Sequence, residues 1–97
     1  MITSKQRAYL RGLANKEPAI LQVGKEGITP ALLANIAEAL VARELVKVSV
    51  LETAPLSSKE AMAEVVEKLP GTEPVQVIGR KFVLYKRNLK EQKILFP

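Results

Sequence analysis

The sequence predicts one α/β domain over residues 1–97, with a mixed four-stranded sheet and elements in the order α-β-α-β-α-β-β. Three observations carry this. Apolar residues recur at helical spacing in some segments and in short strand-like runs in others, and the two patterns alternate along the chain. Helix-start signatures occur at Thr3, Thr29 and Ser57. The last two apolar runs are joined by a glycine turn, as in a hairpin. Alternating strands and helices favour crossovers and parallel pairing, and the hairpin adds an antiparallel pair.

Thr3-Ser4-Lys5-Gln6 opens the first helix, because Thr3 can cap it and Gln6 can reach back. Tyr9, Leu10 and Leu13 form its apolar stripe. Gly12 weakens it and Asn15 to Pro18 end it. Ala19 to Val23, between Pro18 and Gly24, reads as a short and largely buried strand. Thr29 as N-cap and Pro30 in the first turn start the second helix, which runs to about Arg43. Leu32, Leu33, Ile36, Leu40 and Val41 give its apolar spacing.

Leu45 to Leu51 alternates Val46, Val48 and Val50 against Lys47 and Ser49, a strand with one buried face. Pro55 lies in the connection that follows. Ser57-Ser58-Lys59-Glu60 is a second capping box. The helix it opens turns Met62, Val65, Val66 and Leu69 inward, and Pro70-Gly71 stops it. Val75 to Ile78, the turn Gly79-Arg80-Lys81, and Phe82 to Tyr85 make the hairpin. A basic segment from Lys86 leads to Ile94-Leu95-Phe96, which can either dock on the core or add a short edge strand.

Composition excludes whole classes of chemistry. The chain has no Cys and no His, and all ten acidic residues are glutamate. It therefore lacks a thiolate nucleophile, the usual zinc ligands, the commonest general base near neutral pH, and any Ser-His-Asp triad. The expected activity is binding, not catalysis, with no cofactor, no metal and no small-molecule substrate. No apolar run approaches the ~18 residues of a membrane span. The start lacks the apolar block of a signal peptide, so a cytoplasmic location and no membrane partner are expected.

The net charge of +5 is unevenly spread. Residues 1–16 carry +4, residues 17–78 carry −4, and residues 79–97 carry +5. Two basic ends folded onto one face would make an anion-binding surface. They could equally point apart as solvated faces.

The most informative segment is Gly24-Lys25-Glu26-Gly27, set between a strand and a capped helix. Two glycines let a backbone approach closely, the helix start offers N–H groups, and Lys25 adds a charge. A loop of this kind can clamp a nucleic-acid backbone. A tight strand-to-helix turn can also carry two glycines with no ligand at all. Glu26 repels phosphate unless it points away. The loop is too short for a Walker motif and lacks the third glycine of a dinucleotide fingerprint. The basic hairpin, with Arg80, Lys81, Lys86 and Arg87, can also reach phosphates. With four aromatics in all, a base-stacking platform is not expected.

These segments resemble the CRM domain family, and within it the stand-alone bacterial YhbY-like members. The resemblance rests on Lys5-Gln6-Arg7 through Leu10 to Ala14, Val23 to Thr29, Glu44 to Val48, and Val75 to Gly79 running into Val83 to Arg87. It implies an RNA-binding α/β fold similar to the C-terminal domain of translation initiation factor three, with a KH-like glycine loop. It also implies association with precursors of the large ribosomal subunit, and hence a role in ribosome assembly. On that reading Lys5, Arg7, Arg11, Gly24, Lys25, Gly27, Arg80, Lys81, Lys86 and Arg87 share one surface facing structured ribosomal RNA. The chain is expected to act as a monomer. The competing reading is a protein-interaction module that docks on an acidic ribosomal protein or assembly factor.

Overall fold

Seven elements form in the expected order in the computed structural model, which describes residues 2–97. Helix α1 (Ser4–Ala14) starts at a complete capping box. The Gln6 N–H donates to Thr3 Oγ1 at 3.0 Å, and the Thr3 N–H donates to Gln6 Oε1 at 2.9 Å. Strand β1 (Leu21–Val23) follows. It is shorter than its apolar run, although the Ile20 N–H already donates to Lys47 O at 3.0 Å. Helix α2 (Pro30–Arg43) starts where Thr29 Oγ1 accepts from the Leu32 N–H. Strand β2 (Leu45–Val50) comes next, and helix α3 (Ser58–Lys68) begins at the Ser57–Glu60 capping box. Strands β3 (Glu73–Ile78) and β4 (Lys81–Tyr85) close the fold. β3 starts two residues earlier than its apolar run suggests and takes in Pro74, which an edge strand tolerates.

The sheet order is β1-β2-β4-β3. β1 pairs parallel to β2, with Val23 opposite Val50. β4 pairs antiparallel to both β2 and β3. The chain thus leaves β2, crosses by α3 to the far edge, and returns through the hairpin to fill the gap. The bulge between Pro74 and Gln76 frees Val75 to turn into the core.

Both sheet faces are covered. Val23, Val46, Val48, Val50, Phe82 and Leu84 pack under Ile36 and Leu40 of α2 and Ala61 and Val65 of α3. On the other face Leu10 and Ala14 of α1 meet Leu45, Val75, Val83 and Tyr85. β2 is therefore buried on both faces at its start, where one buried face was expected. The reason is that α1 crosses the sheet above Leu45.

The C-terminal segment docks on the core and adds no strand. Ile94 and Phe96 pack on the α1 cluster. The Phe96 ring makes edge contacts with Tyr9 and Tyr85, each at 5.8 Å between centroids. Tyr85 is 1% exposed and serves as core.

Candidate functional site

Three connections emerge together at one end of the sheet. β1 and β2 end side by side, and the Leu51 N–H donates to Val23 O at 2.9 Å. The hairpin turn lies across the same end, where the Val50 N–H donates to Arg80 O at 2.6 Å. β1 and β4 flank β2, so Gly24 and Arg80 stand about 10 Å apart, two strand spacings.

The glycine loop is a closed turn. The Gly27 N–H donates to Gly24 O at 2.9 Å, which places Lys25 and Glu26 at its two exposed central positions. The two glycines have different reasons to be there. Gly27 has φ +73°, a conformation that strains any side chain, so the backbone favours glycine there, although a Cβ would meet Pro55 Cγ at an ordinary 3.5 Å. Gly24 has no positive φ, and the nearest atom to a Cβ there is Leu51 Cδ1 at 4.0 Å. Nothing in the fold requires glycine at that position.

The start of α3 joins this end. Ser58 is buried and its hydroxyl donates to Gly79 O at 2.8 Å, locking the helix start to the hairpin turn. Gly79 supplies the positive φ (55°) that the favoured two-residue hairpin turns demand. Lys25, Lys59, Arg80 and Lys81 are all exposed here. Lys59 was not among the sequence candidates. Its signal was its place in the first turn of α3, next to Ser58, but only the fold brings that turn to the hairpin. The acids of this end are Glu26, Glu52 and Glu60. Hydrogen bonding from the Ser57 backbone N–H holds the Glu60 carboxyl below its ordinary range.

The other five candidates lie elsewhere, so the ten do not make one cluster. Lys81 opens β4 and Lys86 follows its last residue, so five residue steps of strand separate them by about 17 Å. Lys86 instead meets the beginning of β2, its N–H donating to Glu44 O at 2.9 Å. Arg87 is exposed beside it. Arg7 and Arg11 sit on α1, which crosses the half of the sheet nearer Leu45 and Tyr85. Arg7 Nε donates to Pro74 O at 3.1 Å and so ties α1 to the edge strand. Lys5 is exposed and Arg11 half-buried.

That second end is organised by a residue the sequence did not single out. Glu44 is wholly buried and caps α2 with φ 65°, a left-handed position usually held by Gly or Asn. Its carboxylate accepts from the backbone N–H groups of Asn88, Lys93 and Ile94, each at 2.6 Å. One buried carboxyl group thereby fixes the whole C-terminal segment. Among the described residues, no group of three or more potential ligands could hold a metal ion. No described helix is long and apolar enough to cross a membrane.

The fold is that of a small α/β module whose loop end exposes cations beside a tight backbone turn. The chain matches the CRS1 / YhbY (CRM) domain over residues 2–86, and it belongs to that family. It is 42% identical over 97 residues to the Bacillus subtilis "Probable RNA-binding protein YqeI", with 100% of both chains covered. It is 34% identical over 96 residues to a Haemophilus influenzae protein named "RNA-binding protein", covering 99% of this chain and 95% of that one. The solution structure of a hypothetical Staphylococcus aureus protein, put forward as an RNA binding protein, has the same fold. Its TM-score is 0.79 at 39% identity, with 100% of both chains covered.

Proposed function

We propose that this protein binds RNA as one unit over residues 1–97. Its target is structured ribosomal RNA in precursors of the large subunit, where it assists assembly in the cytoplasm without chemistry of its own. The names of its relatives and the cationic loop end support this reading. Lys25, Lys59, Arg80 and Lys81 contact phosphates, and the turn of Gly24 and Gly27 lets the RNA backbone approach. Lys5 and Arg11 add contacts from the neighbouring half of the molecule.

Gly24 carries the argument. Neither φ nor packing requires glycine at Gly24, and its place in the turn beside Lys25 is where the close approach of an RNA backbone would need the space a side chain takes. Gly24→Ala should therefore leave the melting temperature unchanged and weaken binding to a large-subunit ribosomal RNA fragment about tenfold, the loss of roughly one good hydrogen bond. Gly27→Ala is the control, and should cost about 1–2 kcal/mol of stability through its left-handed φ. Unchanged affinity in Gly24→Ala would end the close-approach reading. Sequencing RNA cross-linked to the protein in cells should return large-subunit sequences, and a predominance of messenger or transfer RNA would overturn the ribosomal assignment.

A further inference from the structure

The end of the molecule opposite the glycine loop holds two aliphatic side chains out in water. Val41 on α2 is 62% exposed and Leu89 in the C-terminal segment is 89% exposed. They line one open groove of about 390 Å³, with Leu40 at its base and Lys86, Arg87 and Lys90 around it.

Leu89 is not exposed because its segment is loose. Asn88, its neighbour, is held by four hydrogen bonds. Its N–H donates to the buried Glu44 carboxylate at 2.6 Å and its Nδ2 donates to Val41 O at 3.1 Å. Its Oδ1 accepts from the N–H groups of Lys90 and Glu91, both at 3.0 Å. The resulting turn fixes Leu89 and couples it to the backbone of Val41. A pre-formed turn that projects a leucine beside a second exposed aliphatic loses little freedom when a partner covers it. Of the nearby acids, Glu91 is engaged by Lys93 at 2.6 Å, and the buried Glu44 carboxyl accepts from three backbone N–H groups. The charged side chains that line the groove itself are Lys86, Arg87 and Lys90.

We infer that this groove docks an acidic, amphipathic segment of a protein partner. Its apolar side chains cover Leu89 and Val41, and its carboxylates meet Lys86, Arg87 and Lys90. The aliphatic floor decides against RNA as the occupant: phosphates gain nothing from Val and Leu, and the groove has no aromatic on which a base could stack. The inference does not depend on RNA binding at the loop end. It assigns Lys86 and Arg87 to a protein-facing surface.

The test uses the full chain and methyl NMR. The probe is a synthetic helical peptide with leucines at three- and four-residue spacing and glutamates elsewhere. Titration should shift the Val41 and Leu89 methyl signals saturably and leave the backbone amide signals of Gly24 and Lys25, read in the same samples, unmoved. Leu89→Ser, a change at a solvated position, should weaken the peptide about tenfold while leaving the melting temperature unchanged. A control peptide with serines for leucines should bind far more weakly. The inference falls if the leucine peptide leaves both methyls unmoved, or if the serine control binds as tightly. It falls equally if a ribosomal RNA hairpin shifts those methyls and the peptide does not, which would make the groove a nucleic-acid surface. Loss of RNA binding at Gly24 and Lys25 would bear on the proposed function alone.

Discussion

The two ends of the sheet both expose cations and are built on opposite plans. At the loop end, backbone bonds close the turns, Gly27 to Gly24 and Val50 to Arg80, and one neutral hydroxyl, that of Ser58, ties α3 to the hairpin at Gly79. The cations there have no structural duty and stand in solvent. At the tail end one buried carboxylate accepts three backbone N–H groups, and Lys86 hands its own N–H to the same residue's carbonyl. Lys86 gives only its backbone N–H to that scaffold, so its ammonium, like those of the loop end, remains outside it. The two plans differ in what holds the backbone, not in how free the cations are.

The largest effect expected comes from breaking the tail end at its centre. Glu44→Ala leaves the N–H groups of Asn88, Lys93 and Ile94 without an acceptor and frees the segment that carries Phe96. It should lower the unfolding free energy by about 3 kcal/mol, within the range for lost hydrogen bonds to a charged group. Chemical denaturation measures the loss. Hydrogen exchange should show it concentrated at the amides of 88, 93 and 94, with β2 and β4 protected in proportion to the remaining global stability. If the variant is as stable as the parent, the two ends do not differ in the way their hydrogen bonds indicate.

The next effect sharpens the comparison from the other side. Lys25, Arg80 and Lys81 changed together to Ala should leave stability within about 0.5 kcal/mol, as for exposed side chains generally. RNA affinity should fall, and its dependence on salt should flatten by up to about 0.7–0.9 per phosphate contact removed. Lys86 and Arg87 changed to Ala should flatten it much less. Equal flattening in the two variants would mean that RNA covers both ends of the sheet.

Much of this arrangement was legible in the sequence, and the part that was not has a common cause. Helix starts are legible to the residue at Thr3, Thr29 and Ser57, because an N-cap bond closes within three residues of chain. The glycine loop was found for the same reason. What escaped was long-range. Glu44 gave no local sign, since its partners lie 44 to 50 residues away in the chain. Lys59 lies two residues beyond a legible cap, yet its proximity to Arg80 depends on where α3 docks. The separation of Lys81 from Lys86 was different. It followed from the strand already drawn between them, because a strand of that length cannot bring both its ends to one place. The apolar tail was ambiguous because Ile94-Leu95-Phe96 fits a strand and a docked segment equally well, and only the ring contacts to Tyr9 and Tyr85 decide it.

The smallest effect concerns the one carboxylate at the loop end with a structural task. Glu60 caps α3, and hydrogen bonding from the Ser57 N–H, then from its side chain, holds its carboxyl below the ordinary value of 4.5. A carboxyl that is lowered in the folded state adds stability above its unfolded value and gives it up as pH falls through the folded one. Acidification below about 4.5 should therefore loosen the first turn of α3, and with it the Ser58 hydroxyl that holds the hairpin turn. The amide of Ser57, which donates to the Glu60 carboxylate, should show this first in pH-dependent hydrogen exchange, followed by that of Glu60. Glu60→Gln keeps a side-chain oxygen for the cap but removes the titration. The variant should lose the acid-dependent loosening at α3 while the amides of 88, 93 and 94 respond to acid as in the parent. If α3 loosens just as much in Glu60→Gln, the acid response of the loop end has another source.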